Sequence, residues 1–210
     1  MTIRHHPSDE TILAFANGSL AETLSLVVAA HLDGCAKCRA TLGLAEAIGG
    51  FFLESAAPVE MNADALSRVL DSLETPVTES VPATLAGPDD ALALSPTLQH
   101  QRIGTRRWLA PGIWVRPILK DRADDTRTYL LGAAAGKAFP HHGHRGIELT
   151  QVLQGEFFDG DVRYGPGDCL EVEGGHDHRL VVGAQQECIC VIASQGVPRG
   201  FAGLVMRLAT

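Results

Sequence analysis

The sequence predicts a two-domain protein: an all-α N-terminal domain of four short helices, then an all-β domain of sandwich or barrel type. Three observations carry this. Apolar residues recur at helical spacing through about residue 74, ending with Leu66, Val69, Leu70 and Leu73 at i, i+3, i+4 and i+7. Next, Pro76, Pro82, Gly87-Pro88 and Ser95-Pro96 interrupt any regular pattern. From Trp108 onward, short strand-like runs alternate with Gly/Pro turn signals. The boundaries drawn from these shifts are 1–75 for the helices, 76–100 for a linker and 101–210 for the β domain.

Ser8 is positioned to cap a first helix through Ile12, Leu13 and Phe15, which Asn17-Gly18 ends. Ser19 and Glu22 read as an S-x-x-E capping box for a second helix carrying Leu20, Leu24, Val27, Val28 and His31. Gly34 is expected to stop it in a left-handed turn. A third helix is expected from Ala36 to Phe52 or Leu53, and Asn62 can cap a fourth. The stripe on the fourth ordinarily marks core, but it also suits a partner surface.

His31, Cys35 and Cys38 form an H-x3-C-x2-C cluster at the corner where the second and third helices meet. Imidazole and thiolate suit tetrahedral zinc, which needs a fourth ligand; His5 or His6, just ahead of the first helix, can supply it. The plainer alternative is a helix-end histidine beside two ordinary thiols. Four short helices make a thin core, the size at which natural scaffolds use a metal or a partner. Structural zinc contributes about 10–16 kcal/mol of apparent binding free energy in small finger-like sites.

In the β region the expected strands are Ile113–Leu119, Thr126–Ala133, Ile147–Leu153, Cys169–Glu173, Leu180–Val182 and Cys188–Ala193, with turns at Asp159-Gly160, Gly165-Pro166-Gly167 and Gly174-Gly175. His142 and His144 share one strand face, and Glu148 stays in phase if no bulge intervenes. With a histidine from a neighbouring strand, His176 or His178, they make a mixed N/O site for a first-row metal. His178, followed directly by Arg179, is favoured over His176, which adjoins Gly174-Gly175. Cys188 and Cys190 are spaced to share a sheet face, with Cys169 expected close by.

The odd count of five cysteines, clustered rather than spread, suits a reducing compartment. With no opening signal-type segment and no apolar run long enough to cross a bilayer, a soluble, cytoplasmic protein is expected. Residues 1–100 hold 4 basic and 13 acidic side chains, and residues 101–210 hold 13 and 12. The acidic first half argues against direct nucleic-acid binding and is compatible with docking onto a basic protein.

The spacing G-x5-H-x-H-x3-E-x6-G, filled by Gly136, His142, His144, Glu148 and Gly155, matches the first motif of the cupin superfamily. The stretch from Gly160 through Tyr164-Gly-Pro166-Gly167-Asp168 resembles its second motif more loosely, with the histidine displaced and no following Asn. The resemblance implies a jelly-roll barrel. Joined to the helical His/Cys cluster, the whole chain resembles the ChrR-type zinc-binding anti-sigma factors. That implies an N-terminal domain that sequesters an extracytoplasmic-function-type sigma factor in the cytoplasm, and a cupin needed for release under singlet oxygen or other reactive oxygen stress. By position it also implies Zn2+ on His6, His31, Cys35 and Cys38, and a second metal, zinc by analogy, on His142, His144, Glu148 and His178. The rival reading is an enzyme, a metal-dependent cupin dioxygenase or isomerase, although no general acid or base other than Tyr164 and Glu156 stands beside the ligands.

Overall fold

Ser8 sets the first helix. In the computed structural model, which describes residues 2–73, 92–139, 142–143, 146–175 and 177–196, its Oγ accepts the Thr11 N–H at 3.1 Å and caps α1 (Asp9–Ala16). Asn17 ends α1 and Gly18 follows at a φ of +72°. The expected Ser19–Glu22 capping box does not form. Ala21 is the N-cap of α2 (Glu22–Gly34), with no side-chain bond. Ser19 is engaged in closing α1 instead, its N–H reaching the Ala14 carbonyl at 3.0 Å and Asn17 Oδ1 at 2.9 Å.

Gly34 also departs from expectation. It is the last helical residue and lacks the positive φ of a left-handed stop. The break falls at Cys35, extended at φ −105° and ψ 101°, which is both C-cap of α2 and N-cap of α3 (Ala36–Ser55). Then comes α4 (Ala65–Leu73), its first N–H bonded to the Asn62 carbonyl at 2.9 Å. No residue of α4 is buried, so its apolar stripe is surface rather than core. A short α5 (Pro96–Gln99) lies within the stretch read as linker. Leu98 is fully buried, and the Thr97 N–H donates to Asp33 Oδ2 on α2 at 2.9 Å.

The β region comprises, among the described residues, β1 (Arg107–Ala110), β2 (Ile113–Asp121), β3 (Thr126–Ala133), β4 (His142–Gly143), β5 (Glu148–Gln154), β6 (Phe157–Asp159), β7 (Val162–Tyr164), β8 (Cys169–Val172), β9 (Asp177–His178), β10 (Leu180–Val182) and β11 (Cys188–Gln195). Pairing is antiparallel throughout, in sheets ordered β1-β2-β3-β11-β5-β8, β10-β6-β7 and β4-β9. The six predicted strands are all present. β1, β4, β6, β7 and β9 were not expected: β4, β6, β7 and β9 have too few residues to show an alternation, and β1 is mostly exposed along its length.

Helices and sheet share one core. Along β11, Ile189, Val191 and Ala193 face the helices, joining Leu24, Val27, Val28, Leu130 and Leu149. Cys188, Cys190 and Ile192 alternate to the other face, against Tyr129, Val152, Phe157 and Val182. Burial on both faces explains the near-continuous apolar run of this strand. α2 lies across β2, β3, β5 and β11, and Thr128 Oγ1 donates to the Thr23 carbonyl at 2.8 Å. Because Leu149 is fully buried beneath α2, Leu149→Ala should cost about 2–5 kcal/mol. Urea unfolding followed by circular dichroism should then show helix and sheet signals shifting together.

Candidate metal centre

His31 lies in the last turn of α2 with no exposed surface, while Cys35 and Cys38 occupy the α2–α3 junction and the first turn of α3. The extended backbone at Cys35 turns its Sγ to accept the Cys38 N–H at 3.4 Å, bringing the two thiols to one corner. His6 arrives from the segment ahead of α1. Its Nδ1 lies 3.4 Å from Cys35 Sγ and 3.5 Å from Cys38 Sγ. One ligand atom from each of these four residues falls within 4.8 Å of the other three. A tetrahedral zinc site holds its ligand atoms about 3.3–3.8 Å apart, so the cluster needs only slight contraction to close on an ion. His5 is outside the cluster, its ring against Tyr164 with centroids 4.4 Å apart.

His31 gives the strongest sign that the residues fit a metal. Its Nδ1–H donates to the Gly167 carbonyl at 3.1 Å, while Nε2 is buried with no hydrogen-bond partner. A ring nitrogen left bare among thiols is what ligation requires, and a carbonyl on the other nitrogen fixes the tautomer that allows it.

The electrostatics agree. Burial, then the charge of His6, pulls the His31 pKa down to about 4, and burial with Lys37 lowers that of His6. Both rings are therefore neutral with lone pairs to give. Burial, reinforced by the Cys35 thiol, pushes Cys38 up to about 12. A divalent cation reverses that preference, and two thiolates leave the buried centre neutral overall.

The second predicted cluster is described in part. Glu148 opens β5, is buried, and accepts Thr150 Oγ1–H at 3.4 Å; burial pushes its carboxyl up to about 8. Between β4 and β9 the backbone pairs His142 directly opposite His178. His144 and His176 lie outside the described residues. Cys188 and Cys190 share the inner face as expected, with sulfurs 3.7 Å apart, and line a small apolar cavity. Cys169 does not join them. It packs on the opposite face, under the helices, because β8 puts residues 169 and 170 on alternate sides.

Residues 99–198 match the ChrR cupin-like domain family. The chain is 39% identical to the anti-sigma-E factor ChrR of Cereibacter sphaeroides over 208 residues, spanning 99% of this chain and 97% of that protein. The chain belongs to the ChrR family of anti-sigma factors. The crystal structure of Rhodobacter sphaeroides SigE in complex with the anti-sigma ChrR matches over 92% of this chain and 100% of the other, at 36% identity and a TM-score of 0.77. A regulator of this family is not an enzyme, which sets aside the dioxygenase or isomerase reading.

Sequence reasoning found the four helical-domain candidates but missed Gly167, Asp168 and Glu171, which tie the N-terminal segment to the sheet. Their partners lie some 136 to 164 residues away in the chain, a separation that leaves no mark on local residue pattern. Ligation of the two thiols releases their protons, so apparent Co2+ affinity at this cluster should rise by about two log units per pH unit near pH 7. The thiolate-to-metal charge-transfer absorbance measures it, and a flat profile would exclude thiolate ligation.

Proposed function

We propose that this chain is a cytoplasmic anti-sigma factor that sequesters an extracytoplasmic-function-type sigma factor, without contacting nucleic acid or membrane itself. The near-full-length identity to an anti-sigma-E factor carries the reading, together with the likeness to a ChrR solved with SigE. Among the described residues no helix is long and apolar enough to cross a membrane.

The helical region offers a surface of the required kind. In the second half of α3, Ile48, Phe51, Phe52 and Leu53 are exposed, Phe51 and Phe52 at 67% each. With the α4 stripe they form apolar faces on helices that also carry Glu46, Glu54 and Asp71. Exposed apolar helix faces with acidic neighbours suit a partner that is apolar at its centre and basic at its rim. Zn2+ on His6, His31, Cys35 and Cys38 would staple the corner from which α3 projects, making a four-helix unit of residues 1–75. In this division residues 76–100 connect that unit to a cupin at 101–210.

The cupin's task, in this reading, is to release the partner under singlet oxygen or other reactive oxygen stress, with a second metal on His142, His144, Glu148 and His178. Reversing a 1:99 population to 99:1 takes about 5.5 kcal/mol of differential free energy, a scale that losing a metal ligand can reach. Glu148 supports this reading by its burial at the start of β5, as does the register of His142 against His178.

Two measurements test it. Leu70→Asp should weaken Kd for the cognate sigma factor at least tenfold in a titration while leaving the circular dichroism spectrum unchanged; undiminished binding would move the contact elsewhere. Elemental analysis should find two metal ions per unaltered chain and one in Glu148→Ala. A single ion in both would remove the cupin metal.

A further inference from the structure

We propose that the β-domain turn Gly165–Asp168 is a positioning element of the helical metal centre, so that retaining the ion and docking the helices on the sheet reinforce each other. This rests on the reading of His6, His31, Cys35 and Cys38 as a metal site.

The two thiols are set by the α2–α3 junction itself, through the Cys38 N–H to Cys35 Sγ bond. Both imidazoles are set from the other domain. The Gly167 carbonyl accepts His31 Nδ1–H at 3.1 Å and so directs bare Nε2 into the cluster. Asp168 handles the approach to His6. Its Oδ1 accepts the N–H groups of Arg4 at 2.6 Å and His5 at 3.0 Å, and the His5 carbonyl accepts the Cys169 N–H at 3.1 Å. Backbone bonds on both sides of His5 leave little freedom for the next residue, His6.

The turn is a stiff support. Asp168 Oδ2 accepts the Gly165 N–H at 2.9 Å, closing the turn on itself. Gly167 N–H donates to the Val152 carbonyl at 2.8 Å and the Val152 N–H to the Asp168 carbonyl at 3.0 Å, fastening it to β5. Gly167 has a φ of +89°, and a Cβ there would lie 2.8 Å from Ile3 Cγ1. The N-terminal segment can lie this close only because position 167 has no side chain.

Glu171 supplies an internal control. It accepts the Ser8 N–H at 2.7 Å and the hydroxyls of Ser8 and Thr11 at 3.0 and 2.7 Å, docking α1 to β8, the strand that follows the turn. These hydrogen bonds reach neither a ligand residue nor a residue adjoining one.

The two contributions are separable in the full chain loaded with Co2+. Thiolate-to-cobalt charge transfer reports the His/Cys cluster alone, because the candidate ligands of the β domain contain no sulfur. Asp168→Asn turns an amide N–H toward that of Gly165 or surrenders the contacts to Arg4 and His5. It should lower apparent Co2+ affinity 10–100-fold, the usual consequence of losing an outer-shell partner, and alter the ligand-field bands. Glu171→Gln should stay within about threefold of the unaltered chain. An Asp168→Asn protein with native circular dichroism and unaltered affinity and bands would overturn the proposal, and so would equal losses in the two variants. Hydrogen exchange on the unaltered chain gives an arm independent of variant folding. Stripping the ion should speed exchange at Arg4, His5 and Gly165 at least tenfold, with Val191 still protected; unchanged exchange there would overturn the coupling. No charge-transfer band in the unaltered chain would remove the metal site itself, and the coupling with it.

Discussion

The molecule turns on a buried imidazole that must have both nitrogens answered. His31 has no exposed surface, and burial holds it neutral. One nitrogen is satisfied by the carbonyl of Gly167, across the boundary between helices and sheet; the other faces two thiols and His6. Left bare, a buried polar atom costs about 1–3 kcal/mol. A divalent ion bound there would turn that deficit into a bond. The arrangement is stable only when α2, the α2–α3 junction, the N-terminal segment and the β turn are all in place.

The shared core explains why a chain that reads as two domains gains from this join. Among the described residues α2 is the one helix buried along most of its length, and it is buried by the sheet. Cys38 is the one buried residue of α3, with Leu42 packed at the margin of the core, and α4 has no buried residue. Helices that bury so little of their own apolar surface draw their stability from tertiary support, here a strand layer on one side and, in the proposed reading, a metal corner on the other. What they leave uncovered remains available to another protein.

Much of the architecture was legible because it was written in periodicity. The long strands β2, β3, β5 and β11 were found, with the shorter β8 and β10, and so was α1 with its Ser8 cap; β1 was missed. The Ser19–Glu22 box failed because a motif of residue types cannot tell that Ser19 closes the preceding turn. Gly34 failed because the junction is broken by an extended Cys35, a conformation set by how two helices meet. In the site, imidazole and thiol at fixed spacing announced His31, Cys35 and Cys38; the spacing left His5 and His6 open, the family resemblance pointed to His6, and Asp168 and Tyr164 hold the segment so that His6 joins the cluster. The α4 stripe carries the same pattern whether a core or a partner covers it. Nothing local distinguishes those two outcomes.

The outermost strand of the large sheet, β8, is the other side of this construction. Its free margin is covered by the chain's first residues, with the His5 carbonyl taking the Cys169 amide. A strand margin left bare is a template for pairing with any extended peptide. Were an ion at the corner to leave, that cover would loosen and the margin would be open to pairing with a second copy of the chain.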